Sequence, residues 1–236
     1  MNSLILFCVP GGFEDPDTDD ILDLVGIACV PGSIDIGVGC NDVEYTDTAT
    51  VYLSTYTGCA FTIVYHYYTC SAGSLIDYTM GDFQLLSHNC SAFNSALNSA
   101  LTAGGATLTD FVENFELAIY NQLQQQIIAE YVPIGSPYTC LHGLFFNIIF
   151  IKSSCYYRCF YNLSNEAQSY VKVACGVDCC ERHTRVCRDA NNALVIETEY
   201  VHPSPPYCQD PPSFPDSKVL KRCVRTTSCQ YKCLEE

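Results

Sequence analysis

The chain has 236 residues, of which 17 are cysteines, and 48% of its residues are hydrophobic, which excludes a disordered protein or one too small to bury a core. Residues 1–151 contain 16 acidic residues and no lysine or arginine, whereas residues 152–236 contain all 11 basic residues and 10 acidic ones. The net charge of −15 excludes nucleic acid as an expected partner, because phosphate groups would be repelled.

The cysteine content indicates an oxidising compartment, because secreted proteins keep disulfides whereas cytosolic thiols stay reduced. An odd total of 17 leaves at least one thiol free or bonded to another chain. The first residues lack the basic region and cleavage site of a complete signal peptide. We therefore expect residue 1 to lie near the N-terminus of the mature, secreted protein. The alternatives are export by another route, or an intracellular protein in an organism that tolerates disulfides. No apolar run approaches the ~18 residues of a membrane span, so none is predicted.

The N-terminal segment begins with an apolar run that is followed by Pro-Gly-Gly. Such a run needs a groove or a sheet edge, and it supplies either the first strand of its own core or a strand added to a neighbouring subunit. Cys8 lies within the run, where an intermolecular disulfide would account for the odd cysteine count. The predicted intersubunit strand comprises Leu4, Ile5, Leu6, Phe7 and Val9.

An acidic cluster follows, in which Asp15, Asp17 and Asp19 alternate as at the start of a calcium-binding loop. Asp20 stands where an EF-hand needs glycine, and Gly26 stands where it needs a bidentate glutamate, so an EF-hand is not supported. The three alternating aspartates are a candidate calcium site, and the alternative is a solvated acidic turn. No other cofactor is expected.

The next region, residues 48–88, is rich in β-branched and aromatic residues. Two such runs, 48–56 and 60–68, flank the turn sequence Thr57-Gly58-Cys59. Because β-branched and aromatic side chains favour strands, this pattern predicts a β-hairpin.

Helical periodicity follows in residues 91–97 and, after a break at Gly104-Gly105, in residues 110–132. Asp110 with Glu113 fits a capping box at the start of the second helix. The apolar stripe of this helix is expected to face the core rather than to bind a cofactor.

Further strands are predicted after residue 138, so strands flank the helices in sequence. This order predicts an α+β fold with antiparallel β-sheet around a central pair of helices, reinforced by disulfides. A proline-rich connector then leads into a basic arm, residues 218–236. The predicted strands span residues 144–151, 155–161, 170–174 and 193–200. The predicted domains are an extended acidic segment, 1–47, an α+β core, 48–202, and a Pro-rich and Cys-rich C-terminal arm, 203–236.

Cysteines crowd the last third of the chain in two clusters, residues 175–187 and 223–233. A zinc site would need paired C-x2-C knuckles or Cys/His pairs, and the spacing does not fit, so disulfides explain the clusters better than a metal. Vicinal Cys179 and Cys180 are expected to bond to two different segments, because neighbouring cysteines rarely bridge each other without strain. The predicted structural disulfides involve Cys175, Cys179, Cys180, Cys187, Cys223, Cys229 and Cys233.

Common catalytic motifs are missing: the sequence has no G-x-S-x-G, no H-E-x-x-H, no phosphate loop and no dinucleotide fingerprint. No catalytic residue is therefore predicted, and an enzyme is not expected. A secreted hydrolase is kept as a third hypothesis, since paired carboxylates are assembled only in space. Asn89 and Asn162 begin N-x-S sequons and are candidate glycosylation sites, although two matches are close to chance.

The segment Cys-Gly-Val-Asp-Cys-Cys-Glu-Arg-His at residues 175–183, followed by Arg-Val-Cys-Arg at 185–188, resembles C-terminal parts of uncharacterised cysteine-rich secreted proteins of Bacteroidota-type bacteria. The resemblance covers the last third of the chain. It implies a secreted location and no mechanism, because that group has no established activity.

Together these patterns predict a self-assembling structural subunit of an extracellular filament or cell-surface appendage, whose partners are copies of itself. The acidic body and the basic arm would then meet head to tail, unless the arm neutralises its own body. The predicted helix over 110–132 would be the central element against which the rest of the subunit packs. The alternative is a secreted monomeric surface module that binds glycans or calcium through exposed tyrosines and the acidic run.

Overall fold

Ten strands, two helices and two single 3₁₀ turns form the described part of the chain in the computed structural model. The strands are β1 Tyr45–Val51, β2 Phe61–Ala72, β3 Leu75–His88, β4 Phe146–Ser153, β5 Cys155–Asn162, β6 Gln168–Ala174, β7 Cys179–Arg188, β8 Leu194–Val201, β9 Arg225–Thr226 and β10 Gln230–Tyr231. The helices are α1 Ser91–Ala103 and α2 Gly105–Tyr131, and the 3₁₀ turns are Ser54–Tyr56 and Cys140–His142. The structure describes residues 45–72, 75–153, 155–162, 168–174, 179–201, 225–226, 230–231 and 233.

The larger sheet has six strands in the order β1-β2-β3-β4-β7-β8. β1 and β2 pair antiparallel with Val51 opposite Phe61, which confirms the predicted hairpin. β3 and β4 are parallel, with Tyr78 opposite Ile148. Parallel neighbours need a long crossover, and the two helices supply it.

The smaller sheet has the order β10-β5-β6, and β9 also pairs with β5. β9 and β10 come from the predicted C-terminal arm. The arm therefore contributes strands to the folded body. β1 begins at Tyr45 and β8 ends at Val201. The domain limits at 48 and 202 stay predictions, because the segments 1–44 and 202–224 lie outside the described residues.

Four strands are missing from the sequence prediction: β3, β7 and the two-residue strands β9 and β10. β3 contains Gly81 and Asp82, which interrupt the apolar pattern. β7 contains the vicinal cysteines and four charged or titratable residues between them and Val186, yet alternate residues along it are buried. The buried residues of β7 include the polar Arg182 and Thr184. The sequence of β7 therefore lacks the alternation of apolar and polar residues by which a half-buried strand is recognised.

The second helix begins five residues before the predicted start. The expected capping box at Asp110 is wrong: α2 starts at Gly105, and Asp110 is an exposed residue inside it. A break of one residue suffices because Gly104 adopts φ 66° and ψ −167°, and its N–H still bonds Ala100 O at 2.8 Å. This conformation is essentially restricted to glycine.

The apolar stripe of α2 forms the core, as predicted. Phe115, Ile119, Leu123 and Ile127 are buried, and Phe111 and Ala118 pack against the same cluster partly exposed. That cluster also contains residues of α1 and of both sheets. Burying a side chain of this size stabilises the fold by roughly 1.5–3 kcal/mol, so α2 holds the layers together.

The described residues therefore form an α+β, disulfide-rich fold, as predicted. Within the described ranges, no helix is both long and apolar enough to cross a membrane.

Replacing Gly104 with alanine is expected to lower the free energy of unfolding by about 3 kcal/mol, because a Cβ is strained in this region of backbone space. Gly143 is the matched control, since its left-handed φ 64° and ψ 23° are accessible to other residues and an added Cβ there meets nothing within 4 Å. Gly143→Ala should cost about 1 kcal/mol. Urea unfolding of both variants measures the difference, and equal losses would contradict the role assigned to Gly104.

Candidate assembly surface

The cysteines of the described residues form a disulfide framework in which all ten are bonded. Three of these disulfides are Cys59–Cys90, Cys140–Cys187 and Cys180–Cys233. The two cysteine-rich clusters are thus joined to each other through Cys180 and Cys233. Cys179 is also disulfide-bonded, while Cys175, Cys223 and Cys229 lie outside the described residues.

A buried ion cluster joins α2 to the smaller sheet. Arg158 of β5 donates from Nε to Glu116 Oε1 at 3.2 Å and from Nη2 to Oε2 at 3.4 Å. Lys172 Nζ of β6 lies 3.7 Å from Glu116 Oε2. The side chains of Glu116 and Arg158 are each 1% exposed, so this contact is shielded from water and salt.

The charge of Glu116 is set by its basic neighbours. Burial alone would raise the pKa of this carboxyl, but Arg158, Lys172 and Lys152 outweigh burial and lower the pKa from 4.5 to about 2. Burial likewise opposes the charge on Arg158, yet Glu116 raises its pKa above the ordinary value. Both partners are therefore ionised at neutral pH, and neither can be removed without leaving a buried charge.

Sequence reasoning missed this cluster, although the sequence contains a signal for it. Glu116 lies one turn after Val112 and one before Ile119 or Tyr120, which places a carboxylate on the buried face of the helix. Arg158 interrupts an aromatic and cysteine-rich strand. A charged side chain on a buried face needs a partner of opposite charge. Glu116 and Arg158 each interrupt an apolar pattern, and they are partners of each other.

Two more contacts fix α2 against the larger sheet. Arg182 Nη1 of β7 donates to Asn121 Oδ1 at 2.8 Å. Arg188 donates to Val132 O from Nη2 at 2.8 Å and from Nε at 3.0 Å, which satisfies a carbonyl at the C-terminal end of α2. These basic side chains are therefore engaged in holding the helix.

The two edges of the larger sheet differ. β8 pairs with β7 on one side, and no strand of the described chain lies on its other side. Leu194 and Ile196 are 42% and 48% exposed. Ile196 lies opposite Val186, which is fully buried, so an apolar surface continues from the core onto an uncovered edge.

At the opposite edge, β1 exposes Tyr45, three threonines and Asp47. Gln126 of α2 donates from Nε2 to the carbonyl oxygen of Thr50 at 3.2 Å, which occupies one acceptor of this strand. Both edge strands lack lysine, arginine and proline, the residues with which natural proteins often protect an edge. β8 is the better candidate for pairing with another strand, because it exposes the aliphatic side chains of Leu194 and Ile196.

The other face of β8 is mixed. Val195 and Val201 lie on it together with Glu197 and Glu199, and Val201 is 42% exposed. Glu197 Oε2 lies 3.9 Å from Arg185 Nη1, and both side chains are more than half exposed. An exposed pair of this kind contributes at most about 1 kcal/mol. Leu194 and Ile196 share the face of the strand that carries no charged residue.

The other predicted site residues are placed as follows. Asn89 is exposed directly before α1, whose N-cap is the disulfide-bonded Cys90. Asn162 is the last residue of β5. No group of His, Cys, Asp or Glu within the described ranges is arranged to hold a metal ion. The predicted strand Leu4–Val9, Cys8 and the aspartates Asp15, Asp17 and Asp19 lie outside the described residues.

Comparison of the chain with protein-family models, with characterised proteins and with solved structures finds no match. The resemblance of the last third to cysteine-rich secreted bacterial proteins therefore stays a prediction.

Replacing Glu116 with glutamine should lower the free energy of unfolding at pH 7 by about 3–5 kcal/mol, because Arg158 and Lys172 would remain buried without their carboxylate. Asp110→Asn, which removes an exposed carboxylate of the same helix, should change it by less than about 0.5 kcal/mol. Chemical denaturation at neutral pH measures both.

The pH dependence gives a second test of the same contact. The pKa of Glu116 falls from 4.5 to about 2 on folding, so the unfolded chain takes up the proton first as the pH drops. The contribution of this pKa shift to the free energy of unfolding is complete above about pH 4.5 and is lost as the pH falls through about 2. Stability measured from pH 2 to 7 should therefore fall less steeply in Glu116→Gln than in the parent and in Asp110→Asn. Parallel curves for the three proteins would refute the assignment.

Proposed function

We propose that the protein is a structural subunit of an extracellular filament or cell-surface appendage, in which a strand of one copy adds to the β8 edge of the next. The observation that supports this most directly is the exposed apolar surface of Leu194 and Ile196 on an edge strand. Strand addition would bury these side chains and pair the free main-chain groups of β8.

The donor in this proposal is the N-terminal run Leu4–Val9. It is apolar, carries no charge and is six residues long, about the length of an ordinary strand. Main-chain hydrogen bonds would provide affinity, and its alternate side chains would cover Leu194 and Ile196.

The contact would be heterologous, because a donor run on one copy meets a different surface on the next. A heterologous contact produces a ring where the rotation between copies closes and an open helical filament where it does not. Cys8 lies inside the donor run, so a disulfide from Cys8 to a different cysteine of the neighbouring copy would make the joint covalent. Each copy would then use two cysteines in its joints, so the odd total would still leave one further thiol.

The disulfide framework supports the extracellular part of the proposal. Ten bonded cysteines in the described residues need an oxidising environment to form and persist. Bridges that close loops of 31, 47 and 53 residues each stabilise the fold by roughly 3–4 kcal/mol. Such a subunit would be durable outside a cell.

Electron microscopy of the native protein, with reducing and non-reducing gels, tests the proposal. We expect filaments in the parent protein, and discrete particles both after deletion of residues 1–9 and in Ile196→Lys, because a charge on the β8 face opposes burial. Ile134→Lys is the matched control: Ile134 is 77% exposed but lies off the sheet, and filaments should persist.

Cys8→Ser separates the covalent joint from the strand contact. Filaments should still form, and the ladder of oligomers on non-reducing gels should disappear. Discrete particles in the parent protein would overturn the filament proposal and favour a monomeric glycan-binding or calcium-binding module.

A further inference from the structure

A stack of tyrosine rings reaches the surface at the β1 edge, away from β8. The ring centroids of Tyr45 and Tyr67 are 5.4 Å apart, and those of Tyr67 and Tyr78 are 4.7 Å apart with nearly parallel planes. Tyr65 lies 5.9 Å from Tyr67, and Tyr131 of α2 lies 5.9 Å from Tyr78. Tyr45 ends the stack and is 38% exposed, whereas Tyr78 is buried.

Two exposed carboxylates accompany these rings, Asp47 on β1 and Glu130 on α2. Asp47 Oδ2 accepts a hydrogen bond from the Tyr65 hydroxyl at 3.3 Å, and its Oδ1 accepts from the Thr48 N–H at 2.7 Å. These bonds orient Asp47 beside the rings. We call Tyr45, Tyr65, Tyr67 and Tyr131, with Asp47 and Glu130, the acidic tyrosine patch.

Among the described residues, the charged groups that act on Tyr67 and Tyr131 are the carboxylates of Asp47 and Glu130. Burial raises the pKa of Tyr67 and of Tyr131, and Asp47, Glu130 and neighbouring phenols raise both further. The basic side chains described above contact other groups: Arg158 and Lys172 contact Glu116, and Arg182 contacts Asn121. In the stack, the ring of Tyr67 lies between those of Tyr45 and Tyr78, so the ring that the patch offers to a ligand is that of the partly exposed Tyr45, with two carboxylates nearby.

We infer that the acidic tyrosine patch is a binding site for an alkylammonium group. The face of an aromatic ring attracts an organic cation, and several rings with a carboxylate nearby are the usual means of recognising quaternary ammonium and lysine side chains. The edge of the sheet exposes Tyr45 to such a group, and Asp47 and Glu130 supply the opposite charge. The site is independent of the filament proposal, because it uses β1, β2 and α2 and not β8.

The ligand chemistry is shared by two sources, a quaternary ammonium head group and the lysine side chain of another polypeptide. Choline represents the first, and Nα-acetyl-lysine methylamide represents the second. Each has a neutral counterpart of similar shape: 3,3-dimethylbutan-1-ol for choline, and the Nζ-acetylated compound for the lysine derivative. Comparing each pair isolates the contribution of the charge.

Saturation-transfer NMR at constant ionic strength, with each probe titrated onto the intact protein, tests the inference. We expect at least one cationic probe to bind at least fivefold more tightly than its neutral counterpart, and the tighter of the two identifies the source. Equal signals from charged and neutral probes would overturn the site. Binding of a neutral oligosaccharide that displaces the cation would also overturn it and would assign the patch to glycans.

Variants locate the binding on the patch. Tyr45→Ala and Asp47→Asn should each weaken binding of the cation by about fivefold, since each removes one attractive group at a partly exposed site. Tyr52→Ala is the matched control, because Tyr52 is a 62% exposed tyrosine outside the stack, and its affinity should equal that of the parent. Thermal melting verifies that each variant is folded. Unchanged affinity in both patch variants would refute the assignment.

Discussion

The arrangement of the layers depends on the contact of Glu116 with Arg158 and Lys172. Glu116 lies on the buried face of α2, among side chains that pack against the larger sheet, while its partners belong to β5 and β6 of the smaller sheet. Since residues 1–151 contain no lysine or arginine, a lysine or arginine partner for a carboxylate buried there must come from residues 152–236. Folding of the two parts is therefore coupled electrostatically.

The disulfides impose the same coupling covalently. Cys140–Cys187 and Cys180–Cys233 both join β7 to segments far from it in sequence, with separations of 47 and 53 residues. β7 is also the strand whose Arg182 and Arg188 hold α2. One strand thus connects the larger sheet, the helix and the end of the chain. A chain cross-linked in this way resists local opening, because its last described segment is covalently fixed to β7 at Cys233.

Because most basic side chains of the described chain are used in buried contacts, the surface carries few positive charges. Arg158, Lys172 and Lys152 are buried, so few cations of the described chain reach solvent. The exposed side chains of β1 are three threonines, one tyrosine and one aspartate. The two edges of the larger sheet consequently offer different chemistry, apolar at β8 and acidic with aromatic rings at β1. A sheet with unlike edges supports unlike contacts at its two ends.

By itself, the sequence determined the α+β class, the hairpin of β1 and β2, the two helices and the role of the disulfides, because these follow from local periodicity and cysteine density. It did not determine where α2 begins, since one glycine at φ 66° replaced a longer break, nor that β7 is a strand, since its alternate buried residues include Arg182. Cysteine pairing, the Glu116 cluster and the tyrosine patch were decided by tertiary structure alone. Each joins residues that are distant in sequence, and strand pairing together with the packing of the sheets and helices brings them into contact.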